Sequence, residues 1–158
     1  MTHLVRVWRV AKAKHEDSAF EGLGAERAGG RWNSAGTRVV YCSSTLSLAT
    51  LELLVHLKRA SALAAYVAFA VDIPEDRIRE LEERLAKGWD GYPYLAATQE
   101  LGDRWAEGRL SLALRVPSAI LPSESNFLIN PLHPDRHQLK IGKPETLRID
   151  RRLVSKGA

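Results

Sequence analysis

At 158 residues, with 45% hydrophobic and 27% charged side chains, the chain is long enough to bury one core and too short for two ordinary domains, so a single domain is expected over 1–158. No apolar run approaches membrane-spanning length, and Met1–Arg6 lacks the apolar stretch of a signal peptide, which argues against a membrane partner and for a cytoplasmic protein. A net charge of +4 is too small and dispersed to signal direct nucleic-acid binding, and the single cysteine, Cys42, excludes an internal disulfide.

The first strand carries Arg9 in Val7-Trp8-Arg9-Val10. Further on, Gly29 and Gly30 allow backbone to approach a ligand closely and present Arg31, whose planar fork suits phosphate or carboxylate. Thr37–Cys42 reads as a strand with Val39 and Tyr41 on one face and Cys42, a small buried hydrophobe, on the other. Ser43 or Ser44 is the expected N-cap of a helix from about Thr45 to Arg59. Its leucines spread around most of the circumference, which predicts a largely buried helix with a polar stripe of Thr45, Glu52, His56 and Arg59. The residues alone leave two readings open for each element: a turn with a surface arginine and a solvated acid, or a loop, strand and helix that bring a cation, a phenol and a carboxylate together.

Tyr66–Ile73 reads as a buried strand stopped by Pro74, and Glu75–Lys87 as a helix on the spacing of Ile78, Leu81 and Leu85. Trp89–Tyr94 is aromatic and turn-rich, either a loop over a cleft or an ordered surface turn, with the turn favoured. A further helix is expected over Leu95–Glu107, followed by strands at Leu110–Val116, Asn126–Ile129 and Thr146–Ile149, with 150–158 a frayed tail. His133 and His137 have ligand-like spacing, but Pro134 and the lack of a second pair leave them a solvated loop, so no metal is expected. Strands and helices without a repeating βαβ unit predict an α+β domain with a mixed or antiparallel sheet and flanking helices.

Six ordered segments, Val7-Trp8-Arg9-Val10, Gly29-Gly30-Arg31-Trp32-Asn33, Val40-Tyr41-Cys42-Ser43, Ala49-Thr50-Leu51-Glu52, Val116-Pro117-Ser118-Ala119 and Asn126-Phe127-Leu128-Ile129-Asn130-Pro131, make the chain similar to the RES-domain toxins of bacterial toxin-antitoxin modules. The resemblance implies a fold like that of ADP-ribosyltransferases, NAD as substrate and cleavage of its nicotinamide-ribose bond. It puts Arg31, Tyr41 and Glu52 on active-site positions, and Arg9 and Ser118 on supporting positions that contact the dinucleotide. Ser118 is preferred to Ser123 and Ser125 because of its Pro-Ser-Ala context. By the same likeness hydrolysis ranks first, ahead of ADP-ribosyl transfer or phosphorolysis at the same site, and an Xre-type helix-turn-helix antitoxin blocks the cleft, in a complex that allows a homodimer of this chain. The residue types agree with that chemistry, since a carboxylate stabilises an oxocarbenium-like ribose and an arginine grips a pyrophosphate. The rivals are a non-enzymatic module that grips a phosphate ligand or nucleic acid, and a pure protein-interaction domain.

Overall fold

The computed structural model describes residues 2–155. In chain order its elements are β1 (Leu4–Lys12), α1 (Leu23–Ala28), β2 (Val40–Ser43), α2 (Leu46–Leu54), β3 (Tyr66–Pro74), β4 (Ile78–Glu80), α3 (Ala96–Glu107), β5 (Ala113–Pro117), β6 (Ser125–Ile129), β7 (Lys140–Ile141), β8 (Glu145–Thr146) and α4 (Arg151–Ser155), with short 3₁₀ turns between them. The strands form one sheet in the order β4-β5-β6-β2-β1-β3-β7, with β8 also pairing β3. Every pair is antiparallel except β4–β5, so the domain is α+β with a mixed sheet. The longest ladder pairs β1 with β3 over nine positions, from Leu4–Pro74 to Lys12–Tyr66.

Strand alternation divides the apolar residues between two faces. One face buries Val7, Ala11, Val40, Cys42, Phe69, Val71, Ile73, Phe127 and Ile129, with Phe20 set edge-on against Phe69 at 5.2 Å. The opposite face carries two separate clusters. In one, Trp105 of α3 packs on Trp32, Val39, Leu114, Val116 and Leu128; in the other, towards β1 and β3, leucines of α2 pack with Val10, Leu63, Tyr66 and Ala68. Between them runs the end of β2, where the face turns polar at Ser43 and, across the ladder, Asn126.

Several expected elements are corrected. Glu75–Lys87 is not a helix: Ile78–Glu80 pairs in parallel with Ala113–Arg115, the Leu81 N–H continues to the Arg115 carbonyl at 3.1 Å, and Leu81 and Leu85 pack on the tryptophan cluster. A helical spacing of three apolar residues is overridden by an available strand edge. The helix expected to Arg59 stops at Leu54 and is not buried all round, since only Leu48 and Ala49 are buried while Leu51 is 39% and Val55 63% exposed. Its cap is Thr45, not Ser43 or Ser44: Ser43 still belongs to β2 and the helix begins at Leu46, so the Thr45 Oγ1 accepts from the Leu48 N–H at 3.1 Å. In the expected tail, Arg151–Ser155 forms a helical turn, and 156–158 lie outside the described residues. Among the described residues no helix is long and apolar enough to cross a membrane.

Candidate active site

The Gly29–Asn33 tract is a tight turn following α1, closed by the Gly30 N–H donating to the Asn33 carbonyl at 2.8 Å. Asn33 is fully buried; its Nδ2 donates to the carbonyls of Ala25 and Thr37 at 2.9 and 3.0 Å, and its Oδ1 accepts from the Tyr41 hydroxyl at 2.6 Å. That hydroxyl also accepts from the Trp32 N–H at 3.1 Å. Both capacities of the phenol are thereby used inside the protein, and burial holds it well above the usual tyrosine range. Tyr41 thus pins the arginine loop to β2. Only glycine fits at position 30, because a Cβ there would lie 2.7 Å from the Tyr41 oxygen.

The same loop is fastened to α3 from the other side. Gln99 Nε2 donates to the Gly30 carbonyl at 3.0 Å, and Ser34 donates both its backbone N–H and its hydroxyl to Asp103. Gly102 lies under Trp32 so closely that a Cβ would stand 1.6 Å from its carbonyl oxygen. Residues 99, 102 and 103 share one helix face at i, i+3, i+4 spacing, a small and polar stripe that the sequence displays and that marks where backbone meets helix.

Thus held, Arg31 reaches over to the 88–94 segment. Its Nη1 donates to the carbonyls of Trp89 and Gly91 at 2.6 and 2.9 Å, and its guanidinium stacks 4.9 Å from the centre of the Tyr94 ring. Trp89 in turn packs on Trp32 at 6.0 Å between centroids. Rather than a plain surface turn, this segment is latched onto the arginine. Among the described residues, Nε and Nη2 of Arg31 make no hydrogen bond, leaving one edge of the fork for a ligand. The Tyr94 phenol is raised above its ordinary value, mainly by burial, with Arg31 opposing and Tyr92 and Glu52 adding to the rise. It therefore feels the arginine and the acid at once.

Glu52, in the last turns of α2, is held from the neighbouring strands. Its Oε1 accepts from the Ser118 hydroxyl at 2.6 Å and from Asn126 Nδ2 at 2.7 Å, while Oε2 has no hydrogen-bond partner among the described residues. Ser118 is fully buried just past β5, where its oxygen also accepts from the N–H groups of Ile120 and Leu121, both at 3.1 Å. It thus lies beneath the carboxylate, with its own capacity filled. Asn126, which the sequence does not flag as a site residue, is oriented by Ser43, whose hydroxyl donates to Oδ1 at 2.7 Å. Tyr41 and Ser43 are two residues apart on one face of β2, about 6–7 Å along the strand. One anchors the arginine loop and the other, through Asn126, anchors the acid.

Arg9 stands apart. The pairing of Trp8 with Ser43 places Trp8 on the site's face and Arg9 on the opposite one, beside Cys42. There Nε donates to the Ala19 carbonyl at 3.1 Å and Nη1 to that of Tyr41 at 3.3 Å, and loss of hydration lowers its pKa. Cys42, on that same buried face, has its thiol pushed up to about 12 by burial, which leaves it inert as a nucleophile. His133 Nδ1 accepts from the Asp135 N–H at 3.0 Å and caps the 3₁₀ turn Pro134–Gln138, and among the described residues no group of three potential metal ligands converges. A cavity of about 200 Å³ between β4 and α3, lined by Arg79, Leu81, Arg104 and Trp105 among others, contains none of the site residues.

The chain matches the sequence model of the RES domain over residues 6–150. It belongs to the RES domain family. It is 37% identical over 150 residues to a protein of Photorhabdus laumondii named Toxin Res, covering 94% of this chain and 96% of that one. It is 34% identical over 155 residues to a Sphingobium protein named Prs ADP-ribosylating toxin, again covering 94% and 96%. A crystal structure of the M. tuberculosis MbcT-MbcA toxin-antitoxin complex contains a chain of the same fold, with a TM-score of 0.76 at 17% identity over 98% of this chain and 91% of that one.

Proposed function

We propose that this RES-domain protein is the toxin of a bacterial toxin-antitoxin pair and that it acts in the cytoplasm by hydrolysing the bond between nicotinamide and ribose in NAD. One observation carries the reading: a single face of β2 anchors both the loop bearing the free edge of Arg31, through Tyr41, and the half-committed carboxylate of Glu52, through Ser43 and Asn126. A guanidinium with Nε and Nη2 available suits the dianionic pyrophosphate. The open Oε2 suits the ribose hydroxyls and the positive charge that develops at C1′.

In the reaction the bond between C1′ and the pyridinium nitrogen breaks with its electron pair leaving on nicotinamide. Water then adds its oxygen to C1′, and ADP-ribose, nicotinamide and a proton result. Glu52 lowers the energy of the intervening cation, and the fork of Arg31 fixes the dinucleotide. Tyr94, beside Arg31 and Tyr92, offers aromatic surface at the site's edge, Tyr41 holds the loop that presents Arg31, and Ser118 acts beneath Glu52. Arg9 braces β1 against β2 and leaves the phosphates to Arg31.

The name of the Sphingobium relative favours one second reading, transfer of the ADP-ribosyl group to a protein, which shares the first bond cleavage and differs only in the acceptor. An antitoxin that covers the cleft follows from the same toxin reading, an Xre-type partner being the form proposed, in a complex that holds this chain as a homodimer.

The test is to incubate the purified chain with NAD and separate the products. Free nicotinamide and ADP-ribose are expected from the native chain and neither from Glu52→Gln, whose amide oxygen still accepts from Ser118 and Asn126 and so keeps the fold. Intact NAD after incubation with folded native protein would refute the hydrolytic reading: NAD bound but not cleaved would favour the phosphate-binding module, and no NAD affinity the protein-interaction domain.

A further inference from the structure

We infer that Asn126, aimed by Ser43, is a positioning residue that fixes the Glu52 carboxylate in the orientation needed at the ribose. The inference rests on the NAD reading and adds a pair of residues to it. A glutamate at the end of a flexible stem turns broadly about its last torsion, since an sp³–sp² bond has no deep staggered wells. Two donors on one oxygen remove that freedom. Here they arrive from two separate elements, the Ser118 hydroxyl from the loop after β5 and the Asn126 amide from β6, and both fall on Oε1.

The direction of the Asn126 amide is itself determined. The Glu52 carboxylate can only accept, so the N–H₂ end of Asn126 faces it at 2.7 Å, and Oδ1 is left to accept the Ser43 hydroxyl at 2.7 Å. Val116, Asn126 and Ser43 sit at paired positions across β5, β6 and β2, so the donor is mounted on three adjacent strands with little room to drift. Ser43 is the last residue of β2 and Thr45 caps α2, so the Ser43 hydroxyl serves Asn126 alone. The relay therefore runs Ser43 to Asn126 to Glu52, with Ser118 as a second fixed point, and it delivers Oε2 unpaired toward substrate.

Because Asn126 acts through an interaction that matters when charge develops at C1′, its loss should appear in kcat rather than in KM. Asn126→Ala is expected to lower kcat roughly 10- to 100-fold, the range for one charge-assisted hydrogen bond, with KM for NAD within about threefold of native. Asn126→Asp, nearly the same shape but placing a second carboxylate against the first, should be worse than alanine. Ser43→Ala should cost less, and Ser43→Ala combined with Asn126→Ala should cost no more than Asn126→Ala alone, because the serine works through the asparagine. A native kcat in Asn126→Ala, an aspartate variant as active as native, or multiplying losses in the double variant would each overturn the assignment.

A readout that needs no turnover accompanies these: the side-chain amide proton signals of Asn126, measured by NMR in the full chain, should move when Glu52 becomes Ala and stay put when Glu100 becomes Ala. Unmoved Asn126 signals in Glu52→Ala would overturn the pairing itself. Asn126 signals that move in Glu52→Ala, while the native chain cleaves no NAD, would preserve the pairing and overturn its catalytic purpose, which separates failure of this inference from failure of the functional reading.

Discussion

Replacing Tyr41 with Phe deletes one oxygen and tests whether that phenol is a structural pin or a substrate contact. The oxygen donates to Asn33 Oδ1 at 2.6 Å and accepts from the Trp32 N–H at 3.1 Å, and both partners lie in the buried turn that presents Arg31. Each loses its only hydrogen bond, at about 1–3 kcal/mol per buried group left unpaired, so roughly 2–4 kcal/mol of stability should go after the turn relaxes. For a domain of this length that is a fall in Tm of roughly 4–16 °C. Urea unfolding followed by tryptophan fluorescence should show a lower midpoint at unchanged slope, and NAD cleavage should fall with it because Arg31 rides on the same turn. The alkaline limb supplies a second check. Burial raises the folded-state pKa of Tyr41, so above the unfolded value near pH 10 the folded chain holds a proton that the unfolded chain has released, and stability drops as pH climbs. The phenylalanine variant should lose that part of the decline. An unchanged urea midpoint together with lost cleavage would refute the reasoning and return the hydroxyl to the substrate.

Gly102→Ala should destabilise the domain by about 1–3 kcal/mol or more and slow NAD cleavage, since its Cβ would fall 1.6 Å from the backbone oxygen of Trp32 and only movement of α3 or the arginine loop relieves the overlap; calorimetry and steady-state kinetics read both. Arg9→Met should lower Tm by a few degrees through the lost contacts to Ala19 and Tyr41 carbonyls while leaving KM for NAD within about twofold, whereas a KM raised tenfold or more would put Arg9 on the phosphates after all. Cys42→Ala should flatten the fall in stability above pH 9: the folded thiol keeps its proton to about pH 12, so the native chain loses up to about 1.4 kcal/mol between pH 9 and pH 10, measurable as the shift in urea midpoint.

Much of the framework is legible because it follows local pattern. Tyr66–Pro74 is a β-branched and aromatic run closed by proline, and Ala96–Glu107 is bounded almost as its periodicity demands. What misleads is tertiary choice. Ile78, Leu81 and Leu85 satisfy a helical spacing, yet the edge of β5 offers Ile78–Glu80 a parallel partner that no local rule announces. The leucines of α2 predict burial all round, but a nine-residue helix lying on a sheet has only one side to bury. At the site the residue types are legible and their bonding is not. Arg31 and Glu52 stand out as a cation after glycines and an acid among leucines, whereas the use of Tyr41 depends on Asn33 folding back beneath it. Where Arg9 points is a matter of parity that its motif does not announce, because one residue along a strand exchanges one face for the other. Asn126 is quiet in sequence for a different reason: its importance lies in pairing with Ser43, 83 positions away.

The most direct measurement is a crystal structure of the Glu52→Gln chain with NAD bound. The expected result is one dinucleotide with its pyrophosphate on the Nε and Nη2 edge of Arg31 and its nicotinamide ribose within about 3 Å of the residue 52 side chain, with Asn126 and Ser118 still on the atom that replaces Oε1. NAD seated elsewhere, or seated with Arg31 turned wholly to the carbonyls of Trp89 and Gly91, would contradict the joint role given to Arg31 and Glu52.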